Sequence, residues 1–379
     1  MKIFKRLIQK NIEDRIGKGS LIVIYGPRQA GKTTLSKNII KKYKEEGAYY
    51  DCQEEYVRRE FVVGEPDRLL QFIKDKKIVV FDEAQTVVNI GTILKVFHDK
   101  YKEMGVQIIA TGSSSFDLAN KIVEPMTGRA VEFTLLPLSL FEIKNSGIKY
   151  KKNDIKDYLL YGMYPEIVAA ENKQEKLLAL KKIANNYLYK DIFILESTKR
   201  PQAFENILRM LAFQSGQIVN TNEIAKGVGV NRGTVDKYIS LLEQAFIIKK
   251  ITPFSNNLRN EIKKAYKVYF LDNGIRNILT DVLDDDLENR SDKGAIFENF
   301  IFSELIKKEQ DKIFPNKLFF WRTKQGLEID FVEQEGKRLY LTECKYGGDE
   351  NYKFNLFLKE YGENVTEKRV LSLNNLLEN

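Results

Sequence analysis

The stretch Gly26-Pro-Arg-Gln-Ala-Gly31-Lys32-Thr33 constrains this chain more than any other. It fits G-x-x-x-x-G-K-[ST] without deviation, between the apolar run 21–25 and a helix-patterned run over 32–44. Strand, glycine-rich loop and helix in that order make a phosphate cradle. The glycines let backbone N–H groups turn inward around phosphate oxygens, and the helix start adds partial positive charge there. Gly26, Pro27, Arg28, Gln29, Ala30, Gly31, Lys32, Thr33 and Thr34 are therefore the expected nucleotide-binding residues, with ATP as cofactor. Lys32 is expected to reach the β- and γ-phosphates and Thr33 to ligand Mg²⁺. Arg28 is a second phosphate-contacting candidate.

The apolar run 78–81 ends in Asp82-Glu83. That places carboxylates at the C-terminal end of a strand, where ligands sit in open parallel sheets. Asp82 is expected to hold Mg²⁺, directly or through water, and Glu83 to polarise the attacking water. A third strand-like run covers 106–110. Strands separated by helices predict a parallel sheet with helices on both faces, ending near residues 140–144. On these motifs residues 1–143 resemble an AAA-type P-loop ATPase. The resemblance implies a γ-phosphate sensor after the third strand, at Thr111 or Ser113. Thr127-Gly128-Arg129 ahead of residues 135–140 matches a pattern of related archaeal and bacterial ATPases. There Arg129 is a candidate arginine finger, acting on its own or a neighbouring subunit's nucleotide. An ion pair with Glu132 or Glu142 is its alternative.

At 379 residues the chain is long enough for two or three domains. With 43% apolar and 30% charged residues, its balance is that of a soluble globular protein. The apolar runs fall far short of the roughly 18 residues a membrane span needs, and residues 1–10 show no signal-peptide core. Two cysteines, Cys52 and Cys344, exclude a disulfide framework, and with one histidine, His98, they leave no zinc site. A cytoplasmic protein with no membrane partner is expected.

Net charge is +8, and residues 200–268 hold eleven Lys/Arg against five Asp/Glu, a local +6. Such an excess is the footprint of a nucleic-acid partner. The same stretch reads as helices over 204–213, 221–228 and 234–243, then strands over 246–251 and 265–271. That is a winged helix-turn-helix pattern. Asn231 caps the third helix and leaves Asn231, Arg232, Thr234 and Lys237 to face DNA. Lys249, Lys250, Arg259, Lys263, Lys264 and Lys267 are expected phosphate contacts on or between the wing strands. Protein docking is the alternative use of such a fold. The preceding residues, 151–196, read as a helical connector with Ile183, Tyr187 and Ile192 at helical spacing.

Six acidic residues and one Arg over 281–292 mark a domain boundary. Beyond it lie a helix over 295–308 and strands over 318–321, 327–333 and 338–344. Asp330, Glu343 and Lys345 form D-x12-E-x-K, in which Glu343 and Lys345 share a strand face opposite Cys344. Gly336-Lys337 suits a two-residue type II′ turn, a register that sets Asp330 opposite Glu343. Glu298 adds a carboxylate beside Ile301, Phe302 and Leu305, an odd place for an unpaired charge. These carboxylates suit a divalent metal, and the lysine suits orienting water for attack on phosphorus. The arrangement resembles the PD-(D/E)XK nuclease superfamily, with its helix glutamate, Asp and E-x-K in the same order. The resemblance implies Glu298, Asp330 and Glu343 as Mg²⁺ or Mn²⁺ ligands and Lys345 as catalytic. Trp321 reads as core and His98 as an ordinary helix residue.

The whole chain resembles a prokaryotic family that joins an AAA-type ATPase to such a C-terminal domain. A multidomain α/β protein is predicted: a parallel-sheet P-loop domain over 1–143, a helical region over 144–199, a winged helix-turn-helix over 200–285 and a restriction-endonuclease-like α/β domain over 286–379. The expected function is ATP-driven DNA processing with a metal-dependent nuclease centre. A nucleotide-switched DNA-binding regulator with a silent nuclease fold and a protein-remodelling ATPase are the other readings. DNA is the expected partner, and a ring or dimer is compatible with the motifs.

Overall fold

The computed structural model describes residues 3–61, 65–101, 104–113, 128–185, 201–255, 265–281, 286–312, 314–347 and 354–377. The chain forms two compact units, one built mainly on residues 1–147 and one on 148–185, 197–243 and 247–379. Tyr187, Ile192, Thr127, Arg259, Lys263 and Lys264 lie outside the described residues.

The first unit is a five-stranded parallel sheet of β1 (Leu21–Tyr25), β2 (Gly47–Asp51), β3 (Ile78–Asp82), β4 (Gln107–Gly112) and β5 (Ala130–Thr134), in the order β2-β3-β4-β1-β5. β1, β3 and β4 are buried along their whole length, as strands covered on both faces must be. Helices α1 (Ile8–Glu13) and α2 (Lys32–Ile40) cover one face, where Ile8, Ile12, Leu35 and Ile39 meet Ile22, Ile24 and Val80. Helices α3 (Glu55–Glu60), α4 (Pro66–Leu70) and α5 (Ile90–Tyr101) cover the other, where Val57, Leu69, Leu94 and Phe97 meet Val23, Val79 and Phe81. The expected helix over 32–44 stops at Ile40 and tightens into a 3-10 turn over Lys41–Glu46.

The strand order decides where chemistry can occur. β4 lies between β1 and β3, pairing Tyr25 with Gly112 and Phe81 with Ala110, so the C-terminal ends of the three strands lie side by side. Gly26 leaves β1 at φ +147°, and a Cβ there would sit 2.0 Å from the Leu135 carbonyl oxygen. Only glycine lets the chain pass there into the phosphate loop. Helix α6 (Leu140–Asn145) closes the unit with Glu142, which is buried and paired with buried Arg6 at 3.0 Å. Arg6 also donates to the Ala30 and Leu136 carbonyl oxygens, both at 2.5 Å, and so ties the chain's start to the phosphate loop.

The second unit begins with α7 (Lys152–Tyr161), α8 (Pro165–Ala169) and α9 (Lys173–Ala184). Next come α10 (Pro201–Phe213), α11 (Thr221–Val228), α12 (Arg232–Gln244) and the antiparallel pair β6 (Ile248–Ile251) and β7 (Lys267–Phe270). Then follow α13 (Asn273–Leu279) and the largely buried α14 (Lys293–Lys308). β8 (Lys317–Arg322), β9 (Glu328–Glu335), β10 (Arg338–Lys345), α15 (Asn355–Tyr361) and β11 (Val365–Ser372) complete it, with strand order β11-β10-β9-β8. Segments that the sequence divides into connector, helix-turn-helix and C-terminal domain share this one unit. The connector packs on it through Asn273 and Asn277, whose amides donate to the Leu159 and Leu160 carbonyls of α7. The Phe254 N–H donates to the Phe320 carbonyl at 2.6 Å, and Pro253 bridges to Phe320, which carries the chain after β6 onto β8.

Gly336, at φ +60°, turns the β9–β10 hairpin, and Glu335 pairs with Arg338 as expected. Continued one step past Thr342 and Phe331, that register places Asp330 against Glu343. Asn299 on α14 clamps the helix to β7: its Oδ1 accepts from the Phe270 N–H at 2.8 Å and its Nδ2 donates to the Phe270 carbonyl at 3.0 Å. The clamp fixes the direction of its neighbour, Glu298.

The acid-rich boundary is held by charge. Asp292 accepts from Arg276 at 2.5 Å and from Arg290 at 2.8 Å, and both arginines are buried. Burial alone would raise the Asp292 carboxyl, but hydrogen bonds from Arg290 and Arg276 outweigh it and hold the group down at about 2. A lowered folded-state value stabilises above the ordinary carboxylate range and loses that stabilisation as pH falls. Asp292→Asn should cost about 3 kcal/mol at neutral pH, the low end for removing one partner of a buried pair. Urea melts should show the cost shrinking between about pH 4 and pH 2.

Candidate active sites

The first site lies at the C-terminal edge of the parallel sheet. Lys32, buried, donates to the Gly26 and Pro27 carbonyl oxygens at 2.8 and 2.9 Å, so its ammonium lies within the phosphate loop. Asp82, the last residue of β3, gathers three hydroxyls. Its Oδ2 accepts from Thr33 and from Tyr49, each at 2.6 Å, and its Oδ1 accepts from Thr111. A carboxylate touching the loop threonine is the donor set that a Mg²⁺ ion and its waters use, and ATP with Mg²⁺ fits the residues present.

Glu83 adopts φ +50°, a left-handed conformation that costs a non-glycine residue about 1–3 kcal/mol and is retained where a site needs it. Its N–H donates to Thr111 at 3.1 Å, and its Oε2 accepts from Gln85 at 2.6 Å. Gln85 also donates to Ser113 at 3.0 Å. Both sensor candidates therefore connect to the acidic pair, Thr111 through Asp82 and the Glu83 backbone, Ser113 through Gln85. Tyr49 and Gln85 escaped the sequence reading. Tyr49 sits on an edge strand without a clear apolar pattern, and only its pairing opposite Val80 brings it beside Asp82.

Arg129 lies elsewhere. It precedes β5, which runs parallel to β1 with Ala130 beside Leu21, whereas the phosphate loop follows Tyr25. A five-residue strand separates the two ends by about 15 Å. The reading of Arg129 as a finger on its own nucleotide is corrected by this placement. Its ion-pair partner is Asp99 on α5, at 2.8 Å, rather than Glu132 or Glu142.

The second site lies within the other unit. Glu298, Asp330, Glu343 and Lys345 line one cavity of about 810 Å³. Asp330 accepts from the Cys344 N–H at 2.8 Å, and Lys345 donates to Glu343 Oε1 at 2.8 Å. Glu343 Oε2 is buried with no hydrogen-bond partner, an acceptor that suits a cation. Burial raises all three carboxyls above their ordinary range. Asp330 adds to the rise at Glu298 and Glu343 adds to it at Asp330, while Lys345 opposes it at Glu343. As they stand, no three metal-ligating side chains among the described residues are spaced to hold an ion.

Lys267 requires a correction. Read from sequence as a phosphate contact on the wing, it is 1% exposed, and its ammonium bonds Glu328 and lies 3.4 Å from Glu298 Oε1. Tyr269, two residues along β7, donates to the same Glu298 oxygen at 2.5 Å. Alternation along the strand puts both side chains on one face. Lys249 and Lys250 pair with Glu243, at 3.7 and 3.0 Å. Asn231 caps the third helix through the Thr234 N–H at 2.8 Å; Asn231, Arg232 and Lys237 are exposed and Thr234 is half-buried. His98, on α5, lies 3.1 Å from the Gly19 carbonyl, and Trp321 packs edge-on against Phe357 in the core.

Residues 18–144 match the AAA domain family, 152–286 a domain of unknown function (DUF8612) and 293–376 another (DUF4143). The chain is similar to an uncharacterized protein of Mycobacterium tuberculosis, 26% identical over 89% of this chain and 73% of the relative. It is similar also to an uncharacterized protein of Methanocaldococcus jannaschii, 26% identical over 86% of this chain and 75% of that protein. Among solved structures it overlaps loosely with the Aeropyrum pernix ORC1 protein in complex with DNA (TM-score 0.34, 13% identical, 76% of this chain and 98% of that one). A RuvB variant of Thermotoga maritima gives TM-score 0.32 at 15% identity, over 65% of this chain and 89% of that one. No helix among the described residues is long and apolar enough to cross a membrane.

The N-terminal unit thus carries an AAA-type P-loop nucleotide-binding domain. Lys32→Ala should abolish nucleotide binding, measured with a fluorescent ATP analogue. Glu83→Gln should keep that binding and lower turnover by roughly 10²–10⁴-fold, the usual contribution of a positioned base. Undiminished turnover in Glu83→Gln would remove Glu83 from this role.

Proposed function

We propose that the chain is an ATP-hydrolysing, DNA-processing protein whose second centre cuts phosphodiester bonds with a divalent metal. The observation that carries the second half is the convergence of Glu298, Asp330, Glu343 and Lys345 on one cavity. They come from a helix and two paired strands, in the order the sequence motif requires. Asp330 and the open oxygen of Glu343 would hold Mg²⁺ or Mn²⁺, with Glu298 beside them. The carboxylates are hard oxygen donors, which favours these cations, and although Cys344 also lines the cavity no histidine does. The cation would supply charge stabilisation at the phosphate. Lys345, held 2.8 Å from Glu343, would orient the attacking water.

At the first centre, Lys32 and the loop N–H groups would cradle the phosphates, Thr33 and Asp82 would hold Mg²⁺, and Glu83 would polarise water. Thr111, bonded to Asp82 and to the Glu83 N–H, or Ser113, bonded to Gln85, would sense the γ-phosphate. The place of Arg129 suits a finger on the nucleotide of a neighbouring copy. Duplex DNA binds along the exposed start of the third helix, at Asn231, Arg232 and Lys237. One observation favours the regulator reading with a silent second centre: the carboxylates are not drawn together around a metal position.

Asp330→Asn should abolish cutting of plasmid DNA in Mn²⁺ while ATP turnover stays within twofold of wild type. Equal cutting by wild type and variant would assign the activity elsewhere, and no cutting by wild type on single-stranded, duplex or branched DNA would put the regulator reading ahead. Arg232→Ala with Lys237→Ala should weaken duplex binding and flatten its salt dependence by up to about two units of slope. Both side chains are exposed, so the melting temperature should not move. Unchanged binding would point to protein docking.

A further inference from the structure

We propose that Lys267 is the resident cation of the carboxylate centre: clamped between Glu298 and Glu328, its ammonium occupies the helix glutamate and limits how tightly the cavity takes a divalent metal. This rests on reading that cavity as a metal centre.

A lysine with 1% exposure is rare, because its charge loses water and must regain that energy from partners. Lys267 has them: Glu328 in direct contact, Glu298 Oε1 at 3.4 Å and the Tyr269 hydroxyl at 3.4 Å. Tyr269 donates to the same Glu298 oxygen, so Glu298 Oε1 is engaged twice from the back of the site. The space behind is closed, since a Cβ on Gly216 would approach that oxygen to 3.1 Å. Glu328 is itself shared with Arg322 at 3.3 Å. Glu298 lines the cavity, whereas Lys267, Tyr269 and Glu328 stand behind it. On the cavity side Glu343 Oε2 is a buried acceptor with no hydrogen-bond partner, in the same lining as Asp330.

The consequence is a division of labour. Asp330 and Glu343 are the metal's protein ligands, and Glu298 is held back by a fixed positive charge. Lys267 and the entering metal are two cations drawing on the same carboxylate, so each weakens the other's hold. Lys267 is a positioning residue, not a catalytic one, and it reaches the centre from the strand that follows the helix-turn-helix. The centre is thus built by residues on both sides of the acid-rich boundary.

The test is calorimetric titration of the nucleotide-free full chain with MnCl₂, comparing wild type, Lys267→Met and Asp330→Asn. The double variant Lys267→Met with Glu328→Gln keeps the buried charge balanced if the single variant does not fold, which thermal melting reports. Wild type should bind Mn²⁺ at a site that Asp330→Asn removes. Both Lys267 variants should bind at least about tenfold more tightly, the lower end of the effect of a charge within about 4–6 Å. Unchanged affinity in both, with Asp330→Asn still deficient, overturns the role of Lys267 and leaves the metal centre standing. No Mn²⁺ binding by any of the proteins overturns the metal centre and the role of Lys267 together.

Discussion

A charge taken out of water must be answered inside the protein, and that requirement organises both units of this chain. Arg6 meets Glu142 across 136 positions of sequence and spends its remaining donors on the Ala30 and Leu136 carbonyls. Arg276 and Arg290 converge on Asp292. Lys267 joins β7 to α14 and β9 through Glu298 and Glu328. Each cluster draws together elements that apolar packing alone would leave free to slide. Removing one member leaves a buried charge without compensation, far costlier than a lost surface pair.

The two centres hold their acids in a related way. Asp82 stands at a strand end and is held by hydroxyls of Thr33, Tyr49 and Thr111. Glu298 is held by the hydroxyl of Tyr269 and by one lysine. Burial, and then the neighbouring carboxylate, raises both tyrosines above their ordinary range, so each remains a donor. A hydroxyl satisfies a carboxylate oxygen without neutralising it. The direction of each carboxylate is thereby fixed.

What could be read from sequence follows from how local the controlling physics is. The phosphate loop, the run ending in Asp82-Glu83 and the hairpin at Gly336-Lys337 are set by contiguous residues, and each lies where the pattern places it. β2, β5 and β11 carry no strand signature, because half-exposed strands such as Val365–Ser372 mix charge with apolar residues and lose the alternation. Lys267 misled because its strand reads as a basic surface. Only the tertiary placement of Glu298 and Glu328, 31 and 61 positions later, turns it inward. Tyr49 and Gln85 belong to the first site by strand order, which no short motif encodes.

Arg129 stands at the end of the sheet opposite Lys32. Donor and recipient surfaces for an intermolecular arginine are therefore different patches on different ends of one sheet. A two-fold dimer joins a patch to its own image, and a small contact of that kind would bring arginine edge to arginine edge. A two-fold contact serves the residue when it is broad enough to cover both ends of the sheet; a head-to-tail contact serves it at any size, and such contacts repeat until they close into a ring or run on as a filament. The distance between the two ends of one strand thus sets how large a two-fold contact must be in any assembly that uses this arginine on a neighbour's phosphate.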